Sequence, residues 1–363
     1  MAVRERLRPL PVPLDEVPEV AEFLTRLGLG NLGPDDVSAF FGRNDTWAGV
    51  TDAGVPVFVK RISGEADLVR RRVRRTRAMG ELLDAHAVIT TPRFLGDDGE
   101  SGLVALALLD EARNGAHLAS EDDFTSELAR LAGVQVGTLH TLPAPEPVAE
   151  DTSEPPLPPL GRLSALPLEF YAAASGGELE AWGILHDDPA VAEAITRLCR
   201  WEGRASRVLV HGDLRLDQFL YHDGTLHLGD WEEVRLADPA RDVGAFAGEW
   251  LYRAVVLGMA GHEDVVGERE VVAGGVQRFE ALRPHIEAFW SGYLEARPAA
   301  RADEELATRS AAFAGWHMFD RVIAAGIERS RLTALERAAA GVGRRVLTAP
   351  AEFTTTLGFG GAR

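Results

Sequence analysis

Lys60 stands in the stretch GVPVFVKRI, residues 54–62, and is the only lysine among 38 lysines and arginines. A chain that uses arginine everywhere else keeps a compact ammonium charge at this position, where a broad, rigidly forked guanidinium would not serve. Far downstream, HGDLRLDQFL sets Asp213 five residues ahead of Gln218, and Asp230 closes the next apolar run. Phosphoryl transfer asks little else of a protein: a cation on the nucleotide phosphates, a carboxylate near the acceptor hydroxyl, and oxygen ligands for magnesium. Each residue alone has a plainer reading. Lys60 could be an exposed edge-strand lysine, Asp213 a turn aspartate after Gly212 and Asp230 the end of a strand. Only their combination carries chemistry.

The elements that must hold these residues are legible in outline. Residues 1–39 read as an arm followed by a short helix around EVPEVAEFLTRLGL. Residues 40–112 read as a small lobe in which three strand candidates, a helix and two further strands follow one another. Two apolar runs around Asp52-Ala53-Gly54 predict a hairpin, and GDDGES predicts a second turn. Between them ADLVRRRVRRTRAMGELLDAH predicts a helix whose run Arg70–Arg77 reads as a solvated face. Residues 113–363 are mostly helical, with the acidic, proline-dense stretch 141–161 read as an extended connector or flexible insert. One segment, 208–234, interrupts those helices. Within it YHDGTLHLGD predicts a hairpin turning at Asp223-Gly224, and later Phe313, Trp316, Ile323 and Ile327 recur at helical spacing.

Composition narrows the class. The chain is 46% hydrophobic and carries a formal charge of −18, which argues against a nucleic-acid partner. Its single cysteine, Cys199, permits no intramolecular disulfide and no cysteine metal cluster. No apolar run approaches the roughly 20 residues that span a bilayer, and the N-terminus lacks the apolar core of a signal peptide. The expectation is a cytoplasmic protein without a membrane partner.

At the chemical residues the sequence resembles the aminoglycoside phosphotransferase and choline kinase family, from about Phe40 to Trp250. FGRNDTWAGVTDAGVPVFVK looks like that family's nucleotide-covering hairpin and lysine strand, and LVALALLDEARNGAHL like its hinge. LAGVQVGTLHTLP is similar to the helix ending in Leu-His, HGDLRLDQ to the catalytic loop, and LGDWEEVRLADPARDVGAFAGEW to the metal-binding segment. The resemblance implies an α+β, bilobal protein-kinase-like fold with a small β-rich N-lobe and a larger, mainly helical C-lobe. It implies ATP and Mg2+ as cofactors. Asp213 would be the base or orienting group for the acceptor hydroxyl, and Arg215 a phosphate or acceptor contact or a structural ion pair. Lys60 would hold the α and β phosphates, under a cover that includes Gly42, Asn44 and Gly49. Asp230 would ligate the metal, joined by Gln218 and Glu232. His211 would anchor the loop, and Asp242 would support it from behind.

Two departures stand out. Glutamine replaces the family's usual asparagine at Gln218, one methylene longer at a metal that tolerates little geometric error. The helix after the lysine strand offers only Glu81 in its middle as a partner for Lys60, with Glu65 and Asp67 competing from its start. A narrower resemblance, carried by GRNDTWAG, VFVK and HGDLRLDQFL, is to the kinase subunit of class V lanthipeptide and thioamitide synthetases. It implies a serine- and threonine-bearing precursor peptide as acceptor and a lyase or cyclase partner. The alternatives are a small alcohol such as an aminoglycoside or choline-like compound, and, from another class, a nucleotide-binding pseudokinase scaffold.

Overall fold

The computed structural model describes residues 10–360 apart from 35–36, 41–42, 154, 156–157, 257–267 and 328. The chain begins with α1 (Pro18–Arg26), β1 (Asp45–Val50), β2 (Pro56–Arg61), α2 (Ala66–His86), β3 (Phe94–Asp98), β4 (Leu103–Ala107) and β5 (Arg113–Asn114). Helices follow: α3 (Gly115–Ser120), α4 (Ser126–Leu139), α5 (Glu146–Ala149), α6 (Leu160–Ser164), α7 (Leu168–Ala173), α8 (Gly176–His186) and α9 (Pro189–Glu202). Next come β6 (Val208–Val210), β7 (Phe219–His222), β8 (Thr225–Leu228) and β9 (Arg235–Ala237). The last helices are α10 (Ala240–Val255), α11 (Glu268–Ala296), α12 (Leu306–Gly326) and α13 (Ala334–Thr348).

These elements fall into two compact units. The β-rich unit comprises the described residues of Met1–Gly115, Pro145–Glu150 and Gln218–Val234, so the hairpin β7–β8, read from sequence as part of the helical lobe, groups with the N-terminal residues. Its main sheet has the order β1-β2-β4-β3, antiparallel throughout. Three strand candidates were expected between Phe40 and α2; among the described residues two strands form there, and upstream of Phe40 Leu32 and Ser38 make single bridges, to Thr51 and Ala48. Pro34, between them, has no amide to extend a ladder.

Alternation along β2 sends Val57 and Val59 to one face of the sheet and Lys60 to the other. On the first face Trp47, Val57, Val59, Leu103 and Ala105 pack beneath Val20, Phe23 and Leu24 of α1. The expected N-terminal helix is thus part of this core, and Trp47 Nε1 donates to the carbonyl of Val12 at 2.8 Å. On the second face Ile62, Val104 and Phe94 meet Val69 and Val73 of α2.

The arginine run of α2 meets the expected solvated face only in part: Arg70, Arg74 and Arg77 are exposed, whereas two arginines of the run are buried. Arg72 is 5% and Arg75 2% exposed, turned inward onto an acidic turn. The proline-dense stretch is also anchored in part, because α5 buries Val148 completely within the β-rich unit. The β7–β8 turn forms at Asp223 and Gly224, both with positive φ (47° and 76°), the pairing that a two-residue I′ hairpin requires. β5 adds to this hairpin through Arg113 and Tyr221.

The helical unit comprises the described residues of Ala116–Ala144, Asp151–Asp217 and Arg235–Arg363. α4 and α11 approach backbone to backbone: a Cβ at Gly133 would lie 2.0 Å from the Phe289 carbonyl oxygen, so only glycine permits this spacing. Phe313 and Trp316 are buried in α12, whereas Ile327, expected on the same face, caps the helix and is exposed. The short ladder β6–β9 pairs Val208 with Ala237 and Val210 with Arg235, which brings the loop after β6 beside the start of α10.

Candidate active site

In the β-rich unit, Lys60 Nζ donates to Asp230 Oδ1 at 2.6 Å and lies 2.7 Å from Glu232 Oε2. The strand alternation described above aims the lysine; the hairpin aims the acids. Gly229 N donates to the Gln218 carbonyl at 3.0 Å, so Gln218 and the residue before Asp230 close the open end of β7–β8. Asp230 then takes φ 64°, ψ 60°, a left-handed conformation that an ordinary side chain enters only at a cost of about 1–3 kcal/mol, and such strain concentrates at functional sites. Trp231 anchors the turn, its Nε1 donating to Thr91 Oγ1 at 2.9 Å.

Glu232 has further partners. Besides Lys60 it receives Arg43 Nη2 at 2.6 Å and Asn44 Nδ2 at 3.2 Å, while the Asn44 oxygen accepts from Ser63 N at 3.0 Å. Glu233 points the other way, to Arg72 Nε at 2.8 Å and Arg75 Nη1 at 3.5 Å. Burial works against the charge on Lys60, but Asp230 and then Glu232 outweigh it and hold its pKa above the ordinary value.

The partner anticipated for Lys60 is therefore corrected. Glu81 is exposed, near Arg77, while the carboxylates within ion-pair distance of Lys60 among the described residues are Asp230 and Glu232. The inward positions of α2 carry arginine, so the helix has no acid to offer there. Gly49 sits in the β1–β2 ladder opposite Val57, and Gly42 lies outside the described residues. For magnesium, the chemistry of the donor set fits. Carboxylate and amide oxygens from Asp230 and Gln218 are hard ligands, and this ion is usually held by one or two carboxylates together with substrate phosphates, while Glu232, expected to join them, is engaged with Lys60, Arg43 and Asn44. Among the described residues no cluster of three or more His, Cys, Asp or Glu forms an all-protein metal cage.

In the helical unit, the loop after β6 presents Asp213, whose side chain is 38% exposed, with Arg215 Nε 3.9 Å from Asp213 Oδ2 and Arg215 Nη2 3.2 Å from Asp217 Oδ2. Gly212 adopts φ 85°. Asp242, in the first turn of α10, accepts from His211 N at 2.7 Å and from Gly212 N at 3.0 Å. Behind it His140 Nε2 donates to Asp242 at 3.0 Å, Tyr293 Oη donates to His140 Nδ1 at 3.0 Å, and Arg297 Nη1 donates to the Tyr293 oxygen at 2.7 Å. Burial depresses the His140 pKa and keeps the imidazole neutral, despite Asp242. Burial would raise the Asp242 carboxyl, yet the hydrogen bonds it accepts from His140 and from the Gly212 amide hold it below the usual range.

A recess in the same unit is lined by Asp213, Arg241, Phe313, Trp316, His317 and Asp320. Arg241 is held by Glu202 through two hydrogen bonds of 2.9 and 2.8 Å, so its charge is already matched. His317 Nε2 is 2.7 Å from Glu249 Oε1; burial opposes the charge of Glu249, but His317, with help from Arg321 and Arg215, brings its pKa down to about 2.

Sequence reasoning named Lys60, Asp230, Glu232 and Asn44, which the β-rich unit brings together, and His211 with Asp242, which the helical unit joins. It missed Arg72 and Arg75, which read as part of a solvated face, and assigned no role to Arg43 or Glu233; His140 and His317 are buried. The single usable signal was the density of acids in DWEE opposite an arginine run.

Comparison with known proteins follows the same lines. The sequence profile of the phosphotransferase enzyme family matches residues 42–284. A search of curated proteins finds no significant match. Among solved structures, the chain is similar to choline kinase LicA from Streptococcus pneumoniae, with 15% identity, TM-score 0.53, and coverage of 92% of this chain and 99% of that one. It is also similar to an ethanolamine kinase from Plasmodium vivax, with 11% identity, TM-score 0.52, and coverage of 86% and 84%. An amicoumacin kinase solved with AMP-PNP, Ca2+ and its ligand gives 14% identity, TM-score 0.51, and coverage of 91% and 93%. These likenesses show the fold, the bilobal α+β kinase-like one with a smaller β-rich lobe and a larger helical lobe. Among the described residues no helix is long and apolar enough to cross a membrane.

Proposed function

Since this chain belongs to the phosphotransferase enzyme family, we propose that it transfers a phosphoryl group from ATP to the hydroxyl of a small-molecule alcohol. The observation that carries the reading is the 2.6 Å contact of Lys60 with Asp230, which joins the lone lysine of the sequence to the acid that follows the catalytic hairpin. An ammonium beside a carboxylate that prefers a hard cation is the pairing that a metal-bound polyphosphate needs.

In this mechanism Lys60 neutralises charge on the phosphates. Asp230, with the Gln218 amide, would hold magnesium, which when bound supplies further positive charge to the phosphate oxygens. Asp213 accepts a hydrogen bond from the acceptor hydroxyl and orients it; as the hydroxyl oxygen bonds to the γ-phosphorus and the bond to the β-bridging oxygen breaks, the hydroxyl proton passes toward the Asp213 carboxylate. Asp242 fixes the His211 and Gly212 amides, so Asp213 starts from a backbone that cannot drift. Arg215 pairs with Asp217 at 3.2 Å and places its charge 3.9 Å from the Asp213 carboxylate.

The acceptor reading rests on the recess beside Asp213. Asp213 and Asp320 offer acids to it, while Phe313, covered by the Arg241 guanidinium, and Trp316 form its buried apolar wall, a combination that suits a compact hydroxylated amine. The choline, ethanolamine and amicoumacin kinases named above share the fold and act on small molecules, which supports this class over the precursor peptide that the narrower sequence resemblance suggested. None of these relatives supports a lyase partner. The test is to present purified protein, magnesium and ATP with choline, ethanolamine, aminoglycosides and a serine-rich peptide, and to read phosphate gain by mass. Gain on a small amino alcohol is expected; gain on the peptide alone would reverse the choice.

A further inference from the structure

We propose that Glu232 is the positioning residue of Lys60, replacing the helix carboxylate that the strand lysine would otherwise need, and that it ties the lysine to the start of the β1–β2 hairpin through Arg43 and Asn44. The proposal rests on the reading of Lys60 as the phosphate-binding cation. Four observations carry it.

First, Lys60 has two carboxylate partners of different character. Asp230 has a side chain 27% exposed and is the better placed of the two to take a metal, whereas the Glu232 side chain is 5% exposed. An acid that turns to a cation must loosen its grip on the ammonium; the buried one has no comparable alternative. Second, Glu232 is itself held from the hairpin side, by Arg43 at 2.6 Å and Asn44 at 3.2 Å. A carboxylate with those donors is fixed before any ligand arrives, which is what precise placement of a second side chain requires.

Third, Asn44 bridges Glu232 to the amide of Ser63, just beyond the lysine strand, so the hairpin start, the strand end and the acid form one hydrogen-bonded group. Fourth, α2 is committed elsewhere. Its inward residues Arg72 and Arg75 face Glu233, which leaves the Glu232 carboxylate to the lysine and the hairpin donors. The arrangement reverses the expected polarity: the helix supplies cations, and the turn 231–233 supplies both acids.

The lone lysine makes the test unusually direct. Protein labelled with ε-13C lysine shows one side-chain methylene signal, that of Lys60, read in nucleotide-free protein and therefore independent of turnover. An ordered lysine gives two distinct proton shifts and restricted motion. The expected result is that Asp230→Asn keeps that ordered signal, as does the control Glu100→Gln, whereas Glu232→Met, which keeps the length but removes the oxygens, collapses it to one mobile line. In kinetics, Glu232→Met raises the KM for ATP about tenfold, as loss of one charged hydrogen bond implies, and Glu232→Asp recovers part of it. An ordered signal in Glu232→Met overturns the proposal. So does its loss in Asp230→Asn, a variant that leaves Glu232 untouched and is readable even where Glu232→Met does not fold. Adding AMP-PNP with magnesium to the wild type shifts the signal. If it does not, Lys60 is not the phosphate cation, and the proposal falls with that reading rather than by itself.

Discussion

Asp242 and His140, 102 residues apart in sequence, meet at 3.0 Å in a fully buried hydrogen bond, and the same carboxylate receives the amides of His211 and Gly212. One acid thus connects the end of α4, the start of α10 and the loop that carries Asp213.

Asp242→Asn puts an amide where three donors converge and can satisfy at most part of them. Each orphaned buried donor costs about 1–3 kcal/mol. The expected outcome is a fall in kcat of about 10- to 100-fold with a lower urea midpoint, measured by steady-state kinetics and equilibrium unfolding. His140→Gln, which can still donate to Asp242, should lose less on both readouts.

Acid stability follows from Glu249. Its ordinary value is 4.5 and its folded value about 2, so the folded form binds the proton more weakly. Its contribution is complete above pH 4.5 and is lost as pH falls toward about 2. Asp242, also lowered, acts in the same direction. Unfolding midpoints measured between neutral pH and pH 3 should fall on the acid side, and Glu249→Gln should flatten that fall while lowering stability at neutral pH.

Lys60→Ala should lower kcat/KM for ATP by about 100-fold or more, the scale of one lost electrostatic contact to a reacting group. Lys60→Arg should recover little, because the forked head cannot occupy the position between Asp230 and Glu232 that the ammonium fills. Wild-type rates for Lys60→Arg would remove the reason for the single lysine.

The pair Arg72–Glu233 is buried on both sides, with side chains 6% and 7% exposed. Arg72→Met leaves an acid with only part of its compensation and should destabilise the protein by about 3 kcal/mol, whereas Arg72→Met with Glu233→Leu should regain most of it. A double-mutant cycle in urea measures the coupling. Additive losses would mean that the two charges are solvated independently.

Gln218→Asn should be milder than Gln218→Ala in its effect on kcat at limiting magnesium, because only the first keeps an amide oxygen. Equal losses would take Gln218 out of the metal set.

Much of the local structure could be read before any coordinates. The hairpin turn at Asp223-Gly224 and the alternation that separates Lys60 from Val57 and Val59 are properties of two to six neighbouring residues, where backbone sterics and strand period act directly. Lys60, Asp213 and Asp230 stood out for a related reason: lysine was absent elsewhere, and motif order survives without coordinates. Charge partners were another matter. The same arginine is solvated or buried depending on what a distant segment places opposite it, so Arg72 and Arg75 looked like surface until the turn 231–233 supplied Glu233. Glu81, close to Lys60 in sequence, proved exposed, and Glu232, some 170 residues away, took its place. The sequence by itself determined which chemical groups exist and how the short elements fold, since those depend on covalent neighbours. Only the tertiary structure decided which acid answers which base, because a Coulomb interaction depends on distance and burial, and neither is encoded in spacing along the chain.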